Sequence, residues 1–384
     1  VQSAELSADG PAGGGNIFIG GNYQGAGEVP TAERTRLMGT ASVSANALDA
    51  GDGGRVIVWA DESTFFDGTI SARGGATSGN GGFVETSGKK NLSITTGHVD
   101  TTAPNGTIGS WLLDPNNVTI YQDHPGASDS ISQASLSSMD CANLNINVAA
   151  IQDVASALTI QTYGTSGGCS AGNTISLGTE DADGAVNLVM TNNVPITLIT
   201  DSTPGVVNFH GSITTGGAIT ILSDNIVLIG PSGMTLTTTS GNITLGSSTI
   251  FPLIDGLTSS SAFPITLETN NGNIDIWGPV GFAVPGSIGA VSVIDGSNFT
   301  MHLNPTVAGS LAPVIYCSSL DISVSGNASF PANVDTSAAT LGNNGAGGDV
   351  SIDNNRVYAG DIAFQWVIDD IANPGQQIAV NTLS

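Results

Sequence analysis

Residues 42–90 read SVSANALDAGDGGRVIVWADESTFFDGTISARGGATSGNGGFVETSGKK, and one short pattern occurs twice in them. Each copy has a β-type run ending in Ser-Ala (Val43-Ser44-Ala45, then Ile70-Ser71-Ala72) and a glycine-rich bend closing on Gly-Gly (Gly53-Gly54, then Gly81-Gly82). An alternating run follows (Val56 to Trp59, then Phe83 to Glu85), and the copies start 27 residues apart, Val43 to Ile70. Alternation puts apolar side chains on one face of a strand, and a glycine pair lets the backbone turn sharply. A strand, bend and strand unit of this length cannot bury its own apolar face, so it must stack on copies of itself. The expected fold is therefore all-β, a parallel β-helix in which each repeat is one coil.

Outward from this stretch the same phrase recurs. Glu5-Leu6-Ser7-Ala8 and Asn16-Ile17-Phe18-Ile19 precede it, and His98-Val99-Asp100-Thr101 and Gly109-Ser110-Trp111-Leu112-Leu113-Asp114 follow. From residue 186 a second dialect appears: Ile219-Thr220-Ile221 and Ile243-Thr244-Leu245 lie 24 residues apart, with Ile274-Asp275-Ile276 about 30 further on. Val334-Asp335 and Gly347-Gly348-Asp349-Val350-Ser351-Ile352 then revive the first dialect. The expected organisation is β-helix coils over 1–120, an irregular excursion with a short helix near 149–158 over 121–185, coils again over 186–356, and a cap or subunit-docking segment over 357–384.

Composition agrees with stacked short strands. Gly is 52 of 384 residues, about twice the usual share, and charged residues are 10% against 40% hydrophobic, which opposes disorder. Seven Lys and Arg stand against 32 Asp and Glu, a net charge of −25. Nucleic acid and anionic lipid are excluded as partners by that imbalance, because binding them needs clustered cations. No run of about 18 apolar residues offers a membrane-spanning helix. Val1 opens in mid-pattern without a leader, which suggests a processed product or a piece of a longer chain.

Several segments, in order, carry a family resemblance: GGNIFIGGNYQG (14–25), GDGGRVIVWADE (51–62), TISARGG (69–75), GNGGFVETSGK (79–89) and WLLDPNNVTI (111–120). They resemble the filamentous-haemagglutinin-like adhesins that bacteria secrete by the two-partner, type Vb route. The resemblance implies a right-handed β-helix, secretion through an outer-membrane transporter, and a cell-surface or extracellular location. It also implies a non-catalytic role in attachment to a host-cell or surface glycan or protein receptor. On such a scaffold the loops 22–37, 121–185 and 278–316 are the expected binding surfaces. Two alternatives stand beside it: a subunit of an extracellular filament joined end to end with like subunits by strand addition at its first strand, and a polysaccharide-active enzyme.

Chemistry is sparse. The acid pairs Asp52/Asp61, Asp181/Asp183 and Asp369/Asp370 are candidates to flank a glycosidic bond, which needs two carboxylates a defined distance apart. His98, His124, His210 and His302 are scattered and form no metal or triad spacing. No cofactor is expected; Ca²⁺ at Asp49, Asp52, Asp61 and Asp67 is the alternative, although the calcium nonapeptide pattern is missing. Cys141 and Cys169, 28 residues apart, are candidates for a disulfide that leaves Cys317 over, with three buried thiols as the alternative. Sequons at Asn91, Asn105, Asn117, Asn242, Asn298 and Asn327 are candidate glycosylation sites.

Overall fold

The structure is a computed structural model. It describes residues 4–94, 96–122, 144–162, 173–179, 184–200, 204–258, 262–281 and 288–302, and beyond them 315–317, 319–324, 328–330, 334–335, 350–354, 362–364 and 378–382. The chain is all-β and folds as a parallel β-helix, divided into two compact units, Val1–Ile175 with Met190–Thr203 and Ser176–Val189 with Pro204–Ser384.

The first four coils of the first unit each carry three strands. β1 (Glu5–Ser7), β2 (Asn16–Ile19) and β3 (Arg34–Leu37) form the first coil, and β4 (Ser42–Ser44), β5 (Arg55–Ala60) and β6 (Ser63–Phe66) the second. β7 (Thr69–Ser71), β8 (Phe83–Gly88) and β9 (Asn91–Ile94) form the third, and β10 (His98–Asp100), β11 (Ser110–Asp114) and β12 (Asn117–Tyr121) the fourth. Like strands stack in parallel into three walls, β1-β4-β7-β10, β2-β5-β8-β11 and β3-β6-β9. The register is the one the repeat predicts: Val43 sits opposite Ile70, Ile70 opposite Val99, and Val56 opposite Val84. β13 (Leu144–Asn147) then pairs with β12, β14 (Ala157–Thr162) with β11, and Ile196–Thr200 with β14.

The repeated motif has one local purpose. In all four coils the glycine that ends the bend donates its N–H back across the bend: Gly15 to Ala8 O (2.8 Å), Gly54 to Ala45 O (2.7 Å), Gly82 to Ala72 O (2.7 Å) and Gly109 to Thr101 O (2.9 Å). At the opposite corner, buried threonines tie coil to coil, Thr35 Oγ1 donating to Trp59 O and Thr64 Oγ1 to Ser87 O, both at 2.6 Å. On the bends a side-chain ladder runs upward, with Asp52 Oδ1 accepting the Asn80 N–H and Asn80 Oδ1 accepting the Thr107 N–H. Three of the scarce cations also join neighbouring coils: Arg34 and Lys90 flank Glu62 at 3.5 and 3.6 Å, and Arg73 meets Asp100 at 3.5 Å. Such exposed pairs contribute about 1 kcal/mol or less each.

The interior is apolar and stacked. Leu37, Phe66, Ile70, Trp111, Leu113, Ile120 and Ile146 are fully buried. Trp111 meets Phe66 edge to face, ring centroids 5.9 Å apart, and its indole N–H donates to Thr86 Oγ1 at 2.9 Å.

The second unit repeats the plan. One wall runs Val186–Val189, Gly211–Thr215, Met234–Thr238, Phe263–Thr269, Ile288–Gly296, Ser319–Val324, Val350–Asn354, Ile378–Thr382; another runs Ile219–Leu222, Ile243–Leu245, Asn273–Ile276, Asn298–Met301, Ala328–Phe330, Ile362–Phe364. Ile219 faces Ile243 and Ile243 faces Ile274, as the spacing of 24 and then 31 residues predicts. An asparagine ladder reinforces it: Asn242 Oδ1 accepts the Asn273 N–H, and Asn298 Nδ2 donates to Asn273 Oδ1, both at 2.9 Å.

Three expectations need correction. The helix near 149–158 is a single 3-10 turn, Val148–Ala150, capped by Asn147 Oδ1, followed by β14 from Ala157. Leu158 and Ile160 alternate inward while β14 gains ladders on both sides, and a lone ten-residue helix has no comparable support. The described part of 121–185 therefore contributes coil strands. The loop placed at 278–316 contains two rung strands, the nine-residue Ile288–Gly296 and the four-residue Asn298–Met301. The loop placed at 22–37 ends in β3, which pairs with β6. In 357–384 the two described strands continue the stack, Ile362–Phe364 on Ala328–Phe330 and Ile378–Thr382 on Val350–Asn354. Among the described residues no helix is long and apolar enough to cross a membrane.

Thr86→Val removes the acceptor of the buried Trp111 indole N–H and is expected to cost about 1–3 kcal/mol. Thr86→Ser keeps the acceptor and should stay near wild type. Urea unfolding of both variants checks this; equal midpoints would contradict it.

Candidate functional site: a strap over two buried carboxylates

The strands β5, β8 and β11 are buried on both faces, with patterns in which nearly every residue is covered. Strand alternation places Arg55, Ile57 and Trp59 of β5 on the outer face, beside Phe83, Glu85 and Ser87 of β8 and Ser110, Leu112 and Asp114 of β11. Something must cover that outer face, and it is the segment just after β2. Residues 22–25 form one 3-10 turn, Tyr23–Gly25, with Asn22 Oδ1 accepting the Tyr23 N–H at 2.7 Å. The segment expected to project as a loop begins instead as a strap laid against the wall.

Gln24 is the strap's hinge pin. Its backbone is left-handed, φ 53°, and its N–H points at the Glu85 carboxyl, 3.1 and 3.3 Å from the two oxygens. Its side-chain amide donates to Asp114 Oδ2 at 3.4 Å. Tyr23 packs edge to face on Phe83, centroids 5.8 Å apart, and the Arg55 guanidinium lies over both rings, 5.1 Å from Tyr23 and 5.4 Å from Phe83. Gly21 and Gly25, at φ 157° and 65°, pass directly over Trp59; a Cβ on Gly25 would stand 2.7 Å from the indole ring. Only glycine fits there.

Glu85 is fully buried and Asp114 is 3% exposed. Burial pushes the Glu85 carboxyl up to about 7, against the opposing pull of the Ser87 hydroxyl, the Gln24 N–H and the Arg55 charge. The site thus holds a carboxyl that exchanges its proton near neutral pH, a second carboxylate reached by the same glutamine, and one cation. Arg55 Nε and Trp59 Nε1 are buried there without hydrogen-bond partners. Beside the strap is a shallow groove of ≈ 530 Å³, lined by Gly53, Gly54, Gly81 and Gly82 together with Arg55 and Phe83.

None of these acids was singled out by spacing. Asp52 and Asp61 lie beyond opposite ends of the six-residue β5, so roughly 20 Å of extended backbone separates them. A glycosidase pair needs about 5–10 Å. Asp52 instead accepts the Asn80 N–H, and Asp61 accepts from the Thr31 hydroxyl. Asp181, Asp183, Asp369, Asp370, His124, Cys141, Cys169 and Asn327 lie outside the described residues. Cys317 is fully buried. Among the described residues no three of His, Cys, Asp and Glu converge, so Asp49, Asp52, Asp61 and Asp67 do not form one cluster.

The three described histidines stay apart. His98 lies on β10, and His210 is buried with Nδ1 2.6 Å from Thr179 O. His302 stacks on Trp277 at 3.6 Å and meets Asp275 Oδ1 at 3.1 Å. Among the sequons, Asn91 is 5% exposed, so its side chain is closed to a glycan in the folded protein. Asn117 accepts the Thr174 N–H, and Asn105 donates to Ala76 O. The sequence does hold a signal for the strap: the run from Val56 to Trp59, expected to alternate, is instead unbroken and apolar through Ala60, the mark of a strand covered on both faces.

No family model matches the chain, and no curated protein matches it.

Gly25→Ala is expected to lift the strap from Trp59 and to lower stability at pH 5 by about 1–3 kcal/mol, since it combines a left-handed φ with a ring clash. Thermal unfolding with tryptophan emission checks this. An unchanged midpoint and an unshifted spectrum would contradict it.

Proposed function

We propose that this chain is part of a secreted, filamentous-haemagglutinin-like β-helical protein whose work is mechanical and adhesive, carried out at a bacterial surface or in the extracellular space. The observation that carries the reading is the position of the resemblance. The segments 14–25, 51–62, 69–75, 79–89 and 111–120 are the coil strands, bends and strap of four successive coils. A stiff stack of this kind supports exposed segments without chemistry of its own. In the first unit those segments are 26–33 and the bend tips around Leu48, Thr77 and Asn105, all rich in exposed positions. Leu48 is 53% exposed. The acidic surface favours a receptor that is neutral or basic, a host glycan or protein, over nucleic acid or anionic lipid.

Purified protein is expected to adhere saturably to host epithelial monolayers or to an immobilised glycan panel. Replacing the exposed bend tips, Leu48→Ser with Thr77→Lys, should weaken adherence while leaving the unfolding midpoint in place. Absence of saturable adherence on both surfaces, or release of new reducing ends from acidic polysaccharides, would overturn the reading.

A further inference from the structure

We propose that the strap of residues 22–25 is a proton-operated latch, closing over Trp59, Glu85 and Asp114 when Glu85 is protonated and releasing when Glu85 ionises. The geometry supplies the device. The strap is one 3-10 turn between glycines, it contributes no rung to any wall, and its backbone is pinned at Gln24, whose N–H meets the buried Glu85 carboxyl and whose amide meets Asp114, while Tyr23 rests on Phe83. A short half-buried segment outside the strand ladders opens at lower cost than the strands beneath it.

Every group facing Glu85 can be named. Arg55 from β5 favours its charge, but the guanidinium is held over Tyr23 and Phe83, and no hydrogen bond or ion pair joins it to the carboxylate. Asp114 from β11, drawn to the same Gln24, adds a second carboxylate nearby. Ser87 lies two residues along β8, and the strap itself brings the Gln24 N–H and the Tyr23 ring. The strap is also what keeps water from Glu85. Opening it returns the carboxyl to water, where it ionises in the ordinary range.

Closing therefore takes up a proton, and the sign follows. Glu85 in the closed state ionises at about 7 against an ordinary value of 4.5. Closure is fully supported below pH 4.5, weakens as pH rises from 4.5 to 7, and is constant above that. The span changes the closing equilibrium by roughly 300-fold. Neutral and alkaline surroundings uncover an indole, a guanidinium and two carboxylates; acidic ones cover them.

Hydrogen exchange on the full chain, followed by mass spectrometry of a peptide spanning residues 20–27, reads the latch. After correction for the intrinsic base-catalysed rate, protection of that peptide should fall by roughly 100- to 1000-fold between pH 4.5 and 8. Peptides from β8 and β11 should hold their protection. Glu85→Gln, a neutral isostere, should remain protected throughout. A flat wild-type profile overturns the latch, as does equal loosening of β8 and β11, or a Glu85→Gln profile that follows wild type. Should Glu85→Gln fail to fold, the wild-type comparison of strap and strand peptides decides alone.

Discussion

Close approach of successive coils at their bends is the constraint on which the rest depends. At Gly54, Gly82 and Gly109 the backbone of one coil lies so near the next that an added Cβ would fall 2.0, 2.1 and 2.1 Å from a carbonyl oxygen of the preceding coil. Gly53 and Gly81 would meet Ala72 O and Thr101 O at 2.2 and 1.8 Å. Here the lack of a side chain matters more than freedom in φ. Once the bends nest, the walls fall into register, and Val43, Ile70 and Val99 form one column inside. The alanine before the second and third bends is small for the same reason, since Ala45 and Ala72 Cβ would both lie 2.9 Å from a Cβ on the facing glycine.

That constraint explains what was legible in the sequence. Nested coils demand like residues at like positions, so the Ser-Ala to Gly-Gly phrase recurs at the coil period and gives strand, bend and register together. The strap was not legible in the same way. Among the described residues it occurs in the first coil alone, and its partners Glu85 and Asp114 are 61 and 90 residues further along the chain. Its trace is indirect, an unbroken apolar run at Val56 to Ala60 where a one-faced wall would alternate. The helix expected at 149–158 failed for the opposite reason. Ala149, Ala150 and Gln152 favour a helix locally, while the ladders offered by β11 and Ile196–Thr200 reward an extended chain from Ala157 onward. The Pro- and Phe-rich stretch after 278 was taken for loop on composition, yet Ile288–Gly296 pairs on both sides.

Polar groups divide into two kinds. Those on bends and corners, such as Asp52, Asn80, Thr35 and Thr64, repeat with the coil and bind one coil to the next. Those under the strap do not repeat, and they combine deep burial with a carboxyl moved toward neutral pH. Structural polarity in this fold is periodic, and departures from the period mark the places where the chain does something besides stack. The adhesive reading draws on the periodic part and the latch on the departure.

The central claim is that coil nesting at the glycine bends holds the fold. Chemical unfolding of Gly82→Ala against Gly39→Ala tests it most directly. Gly39 is exposed, and a Cβ there meets nothing nearer than 3.6 Å, whereas Gly82 has backbone atoms at 2.1 and 2.7 Å. Gly39→Ala should stay within about 0.5 kcal/mol of wild type, and Gly82→Ala should lose at least about 1–3 kcal/mol. Equal stability of the two variants would contradict the account.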